Sequence, residues 1–152
     1  MRKYLLIIGV ILMGLSSCNK KGDALLSRTF PTASWERFDF IKEDIQIKKP
    51  VTYNLILDVT FDPTYPYDCI SLVFSVFDSN ENPFRTKGYR FYVKEKDGSW
   101  KSTLTDGLYH FTFPINSELS INEPGTYNFQ LESRMPITPV IGIHSIKVIN
   151  VK

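Results

Sequence analysis

The sequence predicts an all-β protein, a single antiparallel β-sandwich of Ig-like or jelly-roll type with about seven to eight strands. Three observations lead there. From Phe30 onward, apolar and polar residues alternate with period two through segments rich in Val, Ile, Thr, Tyr and Phe, a spacing that sends one face of each segment to a core and the other to water. Pro, Gly, Asn and Asp interrupt these segments at short intervals, which is the turn chemistry of antiparallel strands. No stretch keeps a 3.6-residue period long enough to compete as a helix, and no internal repeat is present.

Taken in chain order, the first element is not part of that domain. Arg2 and Lys3 precede an apolar run from Leu5 to Leu15, which ends in Leu15-Ser16-Ser17-Cys18. A basic start, a short apolar segment and small residues before a cut describe a secretory signal, and the Cys directly after Leu-Ser-Ser adds an acylation site. Residues 1–17 are therefore expected to be cleaved, leaving Cys18 as a lipidated mature N-terminus. The run is shorter than the roughly 20 apolar residues that a membrane-crossing helix requires. Two or more acyl chains suffice for stable anchoring where one does not. Residues 18–28 read as the acylated N-terminus and a flexible polar tether, and residues 29–152 as the sandwich domain.

Within the domain a weak strand is expected over Ser34 to Phe40. Clearer ones cover Val51 to Phe61, Cys69 to Asp78, Gly88 to Glu95, Ser99 to Thr103, Leu108 to Phe113, Thr126 to Arg134 and Ile143 to Val151. In Tyr53 to Phe61 the odd positions are apolar and face one way, while Asn54, Asp58 and Thr60 face the other. Ile70 to Phe77 is more evenly apolar, as befits a central strand covered on both faces. Lys96-Asp97-Gly98 supplies an Asp-Gly pair suited to a type I′ hairpin. Pro63 to Tyr67 and Ser79 to Pro83 read as loops. Glu123-Pro124-Gly125-Thr126-Tyr127 is reminiscent of the tyrosine corner of sandwich folds.

Composition narrows the function classes. The 152 residues less the 17 of the signal leave 135, enough for one domain. Of 18 basic and 16 acidic residues, Arg2 and Lys3 fall in the signal, so the mature domain is near neutral and lacks the basic footprint of a nucleic-acid binder. Nucleic acid is discarded as a partner. With Cys18 acylated, Cys69 has no disulfide mate and reads as a buried, inert thiol.

Catalysis requires a nucleophile beside a base, paired carboxylates or clustered metal ligands. The sequence offers His110 and His144 in different strands, one thiol, and the scattered acids Asp58, Asp62 and Asp68 around a Pro-rich turn. The strong hydrolase, phosphate-loop and zinc motifs are absent. No catalytic residue, metal ligand or cofactor is assigned, and ordinary turn chemistry accounts for the three aspartates. The aromatic content offers another route. Tyr65 and Tyr67 on the Pro-rich loop, with Trp100 after the Asp97-Gly98 turn, are the aromatic residues most expected to be exposed and are the candidates for a platform that binds a partner protein or a sugar ring. Closure of the sandwich ends by Trp35 and Trp100 is the competing and preferred expectation for those two. Arg85, Lys87, Arg90, Lys94 and Lys96 make a locally basic edge, which a solvated edge strand explains as well as a partner site does.

The order of these pieces resembles the GldH-type gliding motility lipoproteins of the Bacteroidetes. A lipoprotein signal and leader come first, then Phe30 and Trp35-Glu36-Arg37-Phe38, the Tyr65-Pro66-Tyr67 loop and Gly98-Ser99-Trp100. Phe111-Thr112-Phe113-Pro114, Pro124 to Phe129, Met135 and Val140 to Ile143 follow. The resemblance implies a non-enzymatic cell-envelope lipoprotein that supports motility or secretion machinery by binding other envelope proteins. It implies no cofactor and gives a role to no residue but Cys18. The alternative is a lipid-anchored carbohydrate-binding module, with a glycan as partner. Asn19-Lys20-Lys21-Gly22 in place of an acidic cluster after the cysteine favours an outer-membrane anchor with the domain facing the periplasm over surface display, the inner membrane being the other candidate.

Overall fold

A computed structural model describes residues 22–151. The strands are β1 (Ala24–Thr29), β2 (Ser34–Trp35), β3 (Ile41–Ile47), β4 (Val51–Phe61), β5 (Cys69–Phe77), β6 (Pro83–Tyr92), β7 (Leu104–Thr105), β8 (Leu108–Ile121), β9 (Gly125–Ser133), β10 (Val140–Ile141) and β11 (Ile143–Asn150). They form a five-stranded sheet in the order β1-β11-β4-β8-β7 and a four-stranded sheet in the order β3-β9-β5-β6, with a small β10-β2 ribbon beside them. Every pairing is antiparallel. The fold class is the expected one. Three strands of two residues each bring the number above the seven or eight expected.

The core lies between the two sheets, as alternation dictates. Tyr53, Leu55, Leu57, Val59 and Phe61 of β4 are buried, as are Tyr127, Phe129 and Leu131 of β9. β5 sits between β9 and β6 and buries Ile70, Leu72, Phe74 and Val76 on one face. Its other face carries Ser71 and Ser75, also buried, with Arg90 Nε donating to Ser71 Oγ at 3.1 Å. The central strand is thus covered on both sides. Tyr127 donates its hydroxyl to Glu123 O at 3.2 Å, the backward reach of a tyrosine corner.

Several boundaries differ from expectation, each for a physical reason. β1, all but Thr29 expected in the tether, pairs with β11 because Leu26 is an apolar plug, buried in the core. β3 was hidden by the charges of Lys42-Glu43-Asp44; as a sheet edge it buries only its ends, Ile41 and Ile47. The Ser34 to Phe40 strand stops at Trp35, and the residues after it turn. β6 starts at Pro83, since Asp78 Oδ1 accepts the Asn80 and Asn82 N–H groups, both at 2.9 Å, and closes the preceding turn. Ser99 to Thr103 is no strand; it contributes one bridge, Trp100 to Lys94. The type I′ hairpin is the next Asp-Gly pair, where Asp106 (φ 51°) and Gly107 (φ 78°) both have positive φ and join Thr105 to Leu108. At the earlier pair, Glycine 98 alone takes positive φ (85°), and the turn closes through Gly98 N to Glu95 O at 3.0 Å, a three-residue hairpin with a bulge. β8 runs on through Pro114, tolerated because β7 covers only Leu108 and Tyr109, so that Pro114 lies on a free edge.

The chain enters the sandwich at β1, where Ala24 lies level with Ile149 of β11 and Ile56 of β4, and the end of the sandwich beyond that entry carries Val51 and Ile121. The opposite end carries the loops 30–40, 62–68, 93–107 and 134–142. The six residues of β1, about 20 Å at 3.3 Å per residue, separate the entry of the chain from those loops.

Candidate functional site

The far end is built on an aromatic cluster. Phe61 at the end of β4 packs against Tyr65 with centroids 4.3 Å apart, and Tyr67 meets Tyr65 edge-on at 5.2 Å. Tyr109 stacks on Trp100 at 4.0 Å and 11°. Lys94 holds the group together: its ammonium lies 4.9 Å from the Trp100 ring centroid and donates to Tyr65 O at 2.8 Å. Tyr65 donates its hydroxyl to Cys69 O at 2.7 Å. Burial pushes the Tyr65 phenol far above its ordinary value, with Cys69 and Tyr67 adding to the shift.

This burial departs from the exposure expected of the candidate platform residues Tyr65, Tyr67 and Trp100. Tyr65 is 1% exposed and offers no face to a sugar ring. Tyr67 and Trp100 are half-buried against the core. The Pro-rich loop looked exposed in sequence, but Asp62 pins it from within by accepting the Thr64 N–H at 2.8 Å and the Thr64 hydroxyl. Gly142 lets it lie flat on the neighbouring turn. Trp35 and Trp100 do close the end of the sandwich. Cys69 is a half-buried free thiol, more open than expected. His110 lies on the surface, 3.4 Å from Thr60 Oγ1. Among the described residues no His, Cys, Asp or Glu group stands ready to hold a metal ion. Cys18 and the segment 1–17 lie outside the described residues.

The surface feature at this end is one that sequence reasoning did not single out. Between β2 and β3 the loop is fixed by Asp39, whose carboxylate pairs with Arg28 at 2.9 Å and whose carbonyl accepts the Trp35 Nε1–H at 2.7 Å. Arg37 clips the loop to the 134–142 segment, its N–H donating to Thr138 Oγ1 at 2.9 Å and Nη2 to Pro136 O at 3.4 Å. Between Arg37 and Asp39 stands Phe38, 73% exposed with φ at 64°. A bulky side chain at positive φ is a conformational outlier that only surrounding contacts maintain. Ile137 and Ile141 on the clipped segment are exposed as well. A pinned loop thus holds a large aromatic group in solvent next to two exposed isoleucines. The sequence places Phe38 in the Trp35-Glu36-Arg37-Phe38 run, but nothing in residue type announces its backbone angle.

Elsewhere, a groove of about 600 Å³ crosses the outer face of β3 and β9 near the 78–82 turn. Its polar groups largely serve each other, Asn128 Nδ2 donating to Asp44 Oδ1 at 2.8 Å and Asn82 Nδ2 to Asp78 Oδ2 at 3.2 Å.

The family model described as GldH lipoprotein matches residues 26–148. A search of curated proteins gives no match. Among solved structures, a family GH115 4-O-methyl-alpha-glucuronidase, described as specific for decorated arabinogalactans, is similar over 88% of this chain and 16% of its own, at 11% identity and a TM-score of 0.33. The chain spans that 16% alone, and the likeness is too slight to bear on fold or function.

Proposed function

Since the chain belongs to the GldH lipoprotein family, we propose that it is a non-enzymatic docking protein of the cell envelope, supporting motility or secretion machinery from a lipid anchor at Cys18. The anchor sits in the outer membrane and the domain faces the periplasm. The observation that carries this reading is the position of Phe38, Ile137 and Ile141. They lie on clipped loops at the end of the sandwich remote from the entry of the chain at Ala24, where a tethered domain presents itself to a partner. Protein interfaces centre on exposed aromatic and aliphatic groups held rigidly before binding, and the Asp39 contacts supply that rigidity.

Photo-crosslinking residues placed at 38, 137 and, as a control at the opposite end, 48 of the full lipoprotein in its own cells test the proposal. The expected result is one envelope protein captured from both 38 and 137 and not from 48, with the same capture lost in Ile141→Asp. Equal labelling from 38 and 48, together with unaltered motility and secretion on deletion of the gene, would overturn it.

A further inference from the structure

Four inward-facing polar side chains meet at one side of the sandwich. Residues directly opposite each other in an antiparallel pair point to the same face of the sheet. Arg85, Lys87 and Tyr89 of β6 stand opposite Val76, Phe74 and Leu72 of β5, all core residues, so their side chains face the core side of this edge strand, Tyr89 half-buried and Arg85 and Lys87 exposed at the open margin between the sheets. From the other sheet comes Asn116 of β8, opposite Leu55 and only 6% exposed. It arrives there because β8 slips register twice around Leu55. The resulting bulge is held by Glu118 N–H donating to Asn54 Oδ1 at 3.1 Å. Together with Pro114 and Ile115 these residues line a cleft of about 410 Å³.

Two of the four are unsatisfied. Among the described residues, Asn116 Nδ2 and the Tyr89 hydroxyl are the buried side-chain polar atoms without a hydrogen-bond partner. A buried donor left unmade is destabilising, and such groups call for an explanation. Inward-pointing charge on an edge strand also blocks sheet-to-sheet association, but that role needs only Arg85 and Lys87. It leaves the amide and the phenol idle. A guanidinium, an ammonium, an amide N–H and a phenolic O–H converging on one cleft share one complement, an oxygen-rich anion.

We propose that this cleft binds a compact oxyanion, the carboxylate or phosphate group of a small soluble ligand. Arg85 and Lys87 supply charge at the mouth, and Asn116 and Tyr89 supply neutral donors within. The site lies on the side of the domain, apart from the end loops, and stands independently of the docking role proposed above.

Calorimetric titration of the full chain in a nonionic detergent, with sodium succinate and sodium phosphate as separate probes, tests the assignment. Saturable binding of either is expected, and the tighter probe identifies the group. Combined Arg85→Ala and Lys87→Ala should weaken it by roughly tenfold or more. Asn116→Leu should weaken it by roughly fivefold while leaving the denaturation midpoint of the free protein unchanged or higher, since it removes an unmet donor. A purely structural asparagine would lower that midpoint. Absence of saturable binding by both probes, binding unchanged in the double variant, or a lowered midpoint in Asn116→Leu would each overturn the proposal.

Discussion

Gly142 lies against the backbone of Tyr65 so closely that a Cβ added to it would stand 2.5 Å from both the Tyr65 N and Cα atoms. Its φ is 78°, so shape and backbone conformation both demand glycine there. The contact brings the 62–68 loop down on the turn that precedes β11, where Asp62 N–H donates to Gly142 O at 3.0 Å. Gly142→Ala is therefore expected to destabilise the domain by about 2–4 kcal/mol. Gly98→Ala shares the positive φ, but a Cβ there would meet nothing within 4 Å, so it should cost only about 1 kcal/mol. Urea denaturation of the two variants side by side measures the difference.

Tyr65 itself gives the domain a sensitivity to alkali. Burial raises its phenol well above the ordinary 10.0, and burial also raises Tyr53 and Tyr89. The folded state thus holds a proton that the unfolded chain releases near pH 10. For Tyr65 this contribution is fully present below that pH and falls away above it by about 1.4 kcal/mol per pH unit, with Tyr53 and Tyr89 acting in the same direction. Tyr65→Phe should be less stable at neutral pH by about 1 kcal/mol through the lost bond to Cys69 O, yet its stability should decline less steeply above pH 10. Denaturation midpoints across that range, wild type against variant, decide the matter.

At the acid end, two turn carboxylates carry the dependence. Asn82 above all, through its backbone and side chain, and Asn80 hold Asp78 below its ordinary 3.8; the Ser99 hydroxyl and N–H do the same for Asp97. A lowered pKa means that each contribution is present above 3.8 and is lost as pH falls through the folded value. Asp78→Ala should lower the thermal midpoint at neutral pH and flatten its fall in acid, as followed by circular dichroism. If its acid profile runs parallel to that of the wild type, Asp78 does not make the contribution.

Phe38 sets stability against function. Replacing it with glycine relieves the positive φ and removes a side chain that contributes little to the core, so Phe38→Gly should stabilise the domain by roughly 0.5–1 kcal/mol. The same change should abolish capture of a partner through residue 137. A residue retained only for structure would not be easier to fold without.

How much of this was legible from residue order follows from the range of the forces involved. Alternation in Tyr53 to Phe61 and Tyr127 to Leu131 announced which side chains enter the core, because the period-two geometry of a strand is local. The Tyr127 corner and the closing role of Trp35 were equally readable. β3 was not, since the strand at a sheet edge need bury only its ends and a charged run can occupy the rest. Tyr65 and Tyr67 were misplaced because a proline-rich loop looks exposed until Gly142, far along the chain, gives it a surface to lie on.

What the sequence determined by itself was an antiparallel β domain, for hydrophobic periodicity and turn chemistry act between near neighbours. Tertiary structure alone decided that Phe38 stands in solvent on a loop pinned by Arg28, and that Arg85, Lys87, Tyr89 and Asn116 share one cleft. Both arrangements depend on which strand lies beside which, and on where β8 slips its register. These outcomes are fixed by packing between segments 10 to 30 or more residues apart, and no local pattern records them.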